Sequence, residues 1–228
     1  MPSVTLEGPA GPPRETLTRA QAGTALGLSP NTVGKLLASA FLPDLSVARV
    51  AALARAPRAR VTRGELPVLR ATPATAPGRE GDDRQFIGDA AGLSDDQFLE
   101  ASRQWWRCEP DKVVGAGVLA VSMAGWVTGV LAVHRAEATL RLPGEVRHAF
   151  AATVAGRVGT LDAPGSYRVL TDEPALADLT RRLLGTRVHA AVSGGPIAYL
   201  RAPAHAHDTA AYDTTPCHQP PAHDRKSP

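Results

Sequence analysis

The sequence predicts an α+β fold in two parts, a small all-α unit followed by a larger α+β unit with a mostly antiparallel sheet. Three observations carry this expectation. Leu17–Ser39, LTRAQAGTALGLSPNTVGKLLAS, combines helical spacing of apolar residues with two helix-start signals. Residues 113–133, VVGAGVLAVSMAGWVTGVLAV, carry no charge and read as two buried strands around a turn at Ala124 and Gly125. Between these stretches, residues 71–83, ATPATAPGREGDD, have the composition of a linker.

The expected organisation is a flexible N-terminus over 1–15, a helical unit over 16–70, a linker over 71–84, an α+β unit over 85–202 and a disordered tail over 203–228. In the helical unit, Thr18 caps a first helix that repeats Ala22, Ala25 and Leu26, and Gly27 is suited to the left-handed conformation that ends it. Ser29 and Pro30 then open a second helix. At 100° per residue, Val33, Leu36, Leu37 and Ala40 share its packing side, while Asn31, Lys35, Ala38 and Ser39 share the other. A third helix is expected from Ser46 to about Ala54, with Val47, Val50 and Ala51 packed and Arg49 and Arg55 outside.

In the second unit, Ser94 and Gln97 form a capping box opening a helix that is expected to carry Phe98, Leu99, Trp105 and Trp106. Strands are expected at Val118–Met123, Trp126–His134, Arg147–Val154, Tyr167–Leu170, Val188–Val192 and Ile197–Arg201. Pro174 to Leu184 reads as an amphipathic helix through Leu176, Leu179, Leu183 and Leu184, closed by Gly185. The apolar run at 113–133 is long enough to cross a membrane, but its glycines, valines and internal turn argue for a hairpin instead, so no membrane partner is expected.

The 228 residues and 23.8 kDa suffice for one large or two small cores. A net charge of +3 conceals an asymmetry, because residues 1–70 hold 9 Lys+Arg against 4 Asp+Glu and the rest hold 16 against 18. A basic excess beside a helical pair is an electrostatic footprint for a polyanion. Cys108 and Cys217 are far apart and the N-terminus lacks the regions of a signal peptide, so a cytoplasmic setting is expected.

The second helix offers the chemistry of base reading. Asn31 can pair bidentately with adenine, Thr32 can touch a thymine methyl, and Lys35 can reach guanine or a phosphate, with Ser29 and Ser39 as flanking hydroxyls. Arg55, Arg58, Arg60 and Arg63 form a basic run that reads equally as a solvated loop or as phosphate clamps, Arg55, Arg58 and Arg60 being the clamp candidates.

This stretch resembles the helix-turn-helix of bacterial transcriptional regulators, with Ala22 and Gly23 at the helix crossing, Gly27 in the turn and Leu26, Leu28, Val33 and Leu36 as the packing set. The following FLPDLSVARVAALA is similar to the continuation in excisionase-like and MerR-like DNA-binding domains. The resemblance covers about the first quarter of the chain and departs where those families place an arginine-rich wing, since Leu42, Pro43, Asp44 and Leu45 lead straight into another helix. It implies double-stranded DNA as partner and a transcriptional regulator as function, with an excisionase-like accessory factor as the alternative. The second unit would then dimerise the chain or sense a small-molecule effector.

No catalytic constellation, metal site or cofactor is expected. Gly115, Gly117 and Ala120 match G-x-G-x-x-A with Glu137 downstream, which leaves a dinucleotide-binding enzyme as a further alternative, but the motif needs a strand before it and a helix after it. His205, His207, His218 and His223 cluster irregularly with Cys217 in the tail, and His134, His148 and His189 could act together only if strands brought them close. No nucleophile elbow, P-loop or HExxH occurs.

Overall fold

The structure, a computed structural model, describes residues 15–78, 82, 84–189 and 195–202. The expected tail and nearly all of the expected flexible N-terminus lie outside the described residues, as do the histidines and Cys217 of the tail. The fold is α+β. Helices α1 (Arg19–Leu26), α2 (Pro30–Ala38) and α3 (Val47–Ala54) come first, followed by β1 (Glu65–Ala71), α4 (Asp95–Arg103) and β2 (Gln104–Trp106). Then follow α5 (Pro110–Ala116), β3 (Val118–Met123), β4 (Trp126–Leu142), β5 (Glu145–Arg157), β6 (Arg168–Val169), α6 (Pro174–Leu183) and β7 (Ile197–Arg201).

The strands form one sheet in the order β2-β5-β4-β3-β1-β7, with β6 also on β5. Every pairing is antiparallel except β1 with β3. Alternate residues of the central strands enter two different cores. Val68, Val118, Ala120 and Val130 pack on the face that carries α1–α3 and α6. Leu69, Leu119, Val121 and Leu131 pack on the other, against Phe98 of α4 and Val113 of α5. A sheet covered on both faces needs apolar residues at every position, which is why residues 118–133 read as a continuous apolar run. Gly129 belongs to this requirement, because a Cβ there would lie 2.3 Å from the Phe98 ring. Ala124 and Gly125, with φ of 53° and 94°, make the turn between β3 and β4.

The sheet reaches further toward the N-terminus than expected. Residues 65–71, assigned to the helical unit and the start of the linker, form β1 between β3 and β7. The start of the expected linker pairs with residues just beyond its end: the Ala74 amide donates to the Asp89 carbonyl (3.1 Å), and Thr75 and Ile87 exchange amide-carbonyl bonds of 3.0 and 2.8 Å. A buried ion pair fastens this loop to the sheet. Arg157 Nη2 lies 3.3 Å from Asp89 Oδ1, Thr128 Oγ1 donates to Asp89 Oδ2 at 2.7 Å, and the guanidinium stacks 4.0 Å from the Phe98 ring centre. Burial pushes the Asp89 carboxyl up to about 6, against the pull of Arg157 and the Thr128 hydroxyl.

Nor are the three helices a separate bead. One hydrophobic cluster runs from Ala22, Leu26, Val33, Leu36, Phe41 and Leu53 into the sheet residues. Backbone bonds reinforce it: the Ala91 amide donates to the Ser39 carbonyl and the Leu161 amide to the Phe41 carbonyl, both at 2.9 Å.

Other elements depart from expectation for local reasons. Helix α4 stops at Arg103 because Gln104 turns extended and pairs with Ala149, so Trp105 and Trp106 lie in β2 rather than on the helix. In α3, Val47 is 46% exposed and Val50 and Leu53 do the packing. Strand β4 runs on to Leu142, eight residues past its expected end, pairing with β5 as far as Leu142 with Glu145. Of the expected Val188–Val192 strand, Val188 and His189 are not in a strand and 190–192 lie outside the described residues. No helix among the described residues is long and apolar enough to cross a membrane.

Candidate nucleic-acid interface

The site begins with the capping of α1. The Thr18 hydroxyl accepts from the Gln21 amide while Gln21 Oε1 accepts from the Thr18 amide, closing a reciprocal capping box. Gly27 then ends the helix in the left-handed region at φ 64°. The Leu28 amide donates to the Gly23 carbonyl at 2.8 Å, drawing the turn down onto α1. This approach leaves no room for a side chain at 23, where a Cβ would stand 2.6 Å from the Leu28 carbonyl oxygen. The two helices are thus set at their angle by a glycine and a backbone bond.

Helix α2 starts at Ser29, whose hydroxyl accepts the Thr32 amide at 3.2 Å and lies 2.9 Å from the Thr32 hydroxyl. Val33 and Leu36 are fully buried beneath it. Asn31 and Lys35 are exposed, Thr32 is half-buried, and Ser29 is exposed at the cap. Four of the expected contact residues therefore lie together on one outward surface spanning the first two turns.

Ser39 does not join them. It is fully buried, its hydroxyl donating to the Lys35 carbonyl at 2.8 Å. The helix ends at Ala38, Ala40 takes a left-handed φ of 57° and is exposed, and the Ala91 amide donates to the Ser39 carbonyl at 2.9 Å, so the chain at Ala91 packs against this end of the helix. A helical wheel continued past residue 38 exchanges Ser39 and Ala40.

Two arginines from outside α2 extend the surface. Arg19 of α1 reaches across α2, its Nη1 lying 3.6 Å from where a Gly34 Cβ would be. Arg187 stands beside the turn, with Nη2 3.9 Å from the corresponding position on Gly27 and its guanidinium 4.8 Å above the Trp126 ring. The same residue aligns the basic run: the Arg187 amide donates to the Pro57 carbonyl at 2.8 Å, and the Ala59 amide donates to the Arg187 carbonyl at 2.9 Å. Arg55, Arg58 and Arg60 are all exposed. Arg187 thereby connects the turn of the helical pair with the segment that carries these cations. Nothing in the sequence around 19 or 187 marks either residue, since each joins the surface only through tertiary packing.

The charge of the region is lopsided. Residues 15–63 hold seven cationic side chains and only Glu15 and Asp44 as acids. Asp44 is already engaged, because it accepts the Ser46 amide at 2.9 Å and pairs with Arg49 at 3.2 Å. These contacts, led by the Ser46 amide, hold its carboxyl below the usual range.

Beside α2, where the ends of β1 and β3 meet Val188 and Pro196, the fold leaves a cleft of about 680 Å³. Lys35 and Thr32 form one wall of it.

The remaining sequence candidates fall elsewhere. Gly115 and Gly117 close helix α5 and lead into β3, the reverse of the strand-glycine-helix order that a dinucleotide site uses. His134 and His148 sit on β4 and β5, each 3.3 Å from a threonine hydroxyl, Thr153 and Thr139 respectively. No group of three His, Cys, Asp or Glu among the described residues is placed to hold a metal ion.

Comparison with family models, curated proteins and solved structures returns no match.

Proposed function

We propose that this protein binds double-stranded DNA through the outward surface of α2 and acts as a sequence-specific transcriptional regulator in the cytoplasm. In this reading Asn31 and Lys35 meet base edges in the major groove, with Thr32 and Ser29 beside them. Arg19, Arg55, Arg58, Arg60 and Arg187 meet phosphates, which strengthen binding without selecting sequence. The observation that carries it is the division of α2. Val33 and Leu36 anchor the helix fully in the core, yet Asn31 and Lys35 are left exposed in its first two turns with cations on either side.

The test is selection of bound duplexes from a random pool by the full chain. A recurring motif is expected, and a motif in two inverted halves about one helical turn apart would identify a homodimer as the binding form. Clustered direct repeats with DNA bending would assign the same surface to an accessory factor of a mobile element. A pool that emerges without any preferred sequence would overturn specific recognition.

A further inference from the structure

Strand β4 outruns its neighbour. Its pairing with β3 ends at Ala132 opposite Val118, and the Val133 amide still donates to the Gly117 carbonyl at 2.8 Å. From there β4 continues to Leu142 with β5 on one side only, and no backbone bond from a described residue reaches its other side. Residues 134–139 are all exposed. A bare edge of this length is a template for another strand, because half of its amides and carbonyls lack partners.

The hairpin turn decides which groups face outward. Pro143 and Gly144 make a two-residue turn, so Leu142 and Glu145 form a hydrogen-bonded pair. Alternation from there gives Leu140 to β5 and turns the amides and carbonyls of Thr139 and Arg141 away from it. Both side chains belong to the sheet face that carries α4, since Thr139 is opposite His148, two residues from the Phe150 that packs with Phe98. Glu137, in the bulge between Ala136 and Ala138, turns to the same face and accepts a bond from Arg103 of α4.

We propose that a second copy of this chain pairs on this edge, the two β4 strands running antiparallel about a two-fold axis at Thr139. The axis passes through a residue, because opposed side chains must share a face. At Ala138 it would set Arg135 against Arg141, and at Glu137 or Arg141 it would set that charge against itself. At Ala136 the second strand would run into β3, which already occupies the edge at Ala132. At Thr139, Glu137 of each copy faces Arg141 of the other, and the outward backbone groups of the two Thr139 residues meet. The charges on this edge thus select one register instead of merely blunting the strand. The same register brings the turn of the second copy opposite Arg135 and His134. There it lies beside a groove of about 360 Å³ between β4 and α6, whose apolar lining of Val133, Leu176 and Leu179 suits Pro143. The pairing needs no DNA; joined to the regulator reading, it presents two copies of α2 and calls for a site in inverted halves.

The experiment measures the mass of the full chain by sedimentation equilibrium without DNA, and a mass of two chains is expected. Arg141→Glu sets two carboxylates against each other in both halves and should weaken the dimer roughly tenfold. Adding Glu137→Arg restores unlike pairs and should bring the affinity back. Cysteines read the register, in a chain whose Cys108 and Cys217 are replaced by serine. Thr139→Cys stands opposite itself and should link two copies on mild oxidation, whereas Ala136→Cys lies about 20 Å from its mate and should not. A chain that stays monomeric up to roughly 0.1 mM would overturn the proposal. So would a dimer as tight with Arg141→Glu as in the parent, or one that Thr139→Cys links no better than Ala136→Cys. A dimer with the expected properties that binds no DNA would leave the pairing standing and count against the regulator reading alone.

Discussion

Replacing Phe41 with alanine tests whether the helices that carry the candidate interface are fused to the sheet. Phe41 is completely buried in the cluster shared by α1–α3 and the sheet, and its carbonyl holds the Leu161 amide. Truncating a buried phenylalanine costs about 3–5 kcal/mol through lost transfer energy and the cavity left behind. Against a typical total of about 5–15 kcal/mol that is a large loss, and for a domain of this size it lowers Tm by roughly 6–20 °C. The chain supplies its own reporters. Trp105, Trp106 and Trp126 all lie in sheet strands, whereas α1–α3 hold about half of the α-helical residues among the described ones. Unfolding followed by tryptophan fluorescence and by circular dichroism at helical wavelengths should therefore give one coincident transition, shifted equally in both signals. A helical signal that disappears early while the fluorescence midpoint stays at the parent value would refute the fused unit, as would a cost below about 1 kcal/mol.

Three further perturbations probe the account at other points. Gly23→Ala sets a Cβ 2.6 Å from the Leu28 carbonyl and should cost about 1–3 kcal/mol by thermal melting while weakening DNA binding; Gly115→Ala, with nothing within 4 Å, should be neutral or slightly stabilising and serves as its control. Arg157→Met leaves Asp89 buried without its cation and should cost about 3–5 kcal/mol near neutral pH. Because the Asp89 carboxyl in the folded chain, at about 6, lies above its ordinary 3.8, its contribution is fully present below 3.8 and is lost as pH rises through 6. Removing Arg157 should extend that loss to higher pH, so urea midpoints of the variant should recover on acidification more than those of the parent. Neutralising Arg55, Arg58 and Arg60 together to glutamine should weaken selected and random duplexes alike and reduce the salt dependence by about 0.9 for each phosphate no longer neutralised, read from affinities across a salt series.

What the sequence disclosed was local. Strands β3 and β7 have the expected limits because each is a short apolar run bounded by turn residues, and the caps at Thr18, Ser29 and Ser94 form as their spacing implies. Strand β1 escaped because Leu66, Val68 and Leu69 surround Pro67, which lacks the amide a ladder uses. Helix α5 escaped because Val113, Val114 and Gly115 are weak helix formers; Pro110 at its first turn and burial of Val113 against the sheet override that preference. Continuation of the helix past Arg103 predicts the two tryptophans on it, but pairing of Gln104 and Trp106 with β5 ends the helix before them. At the candidate interface, Ser29, Asn31, Thr32 and Lys35 were legible because one helix presents them. Arg19 and Arg187 required the packed structure, and so did Ser39, which the wheel puts outside but which is buried where the chain at Ala91 bonds to its carbonyl.

The most direct test of the central claim is the affinity of Asn31→Ala and Lys35→Ala for a selected duplex and for its single-base variants. Each substitution should cost about 1–3 kcal/mol on the selected site, and removal of a base-reading side chain should relax discrimination at one base position. Both residues are exposed, so folding should be preserved. If both variants bind every duplex as tightly and as selectively as the parent, α2 does not read DNA.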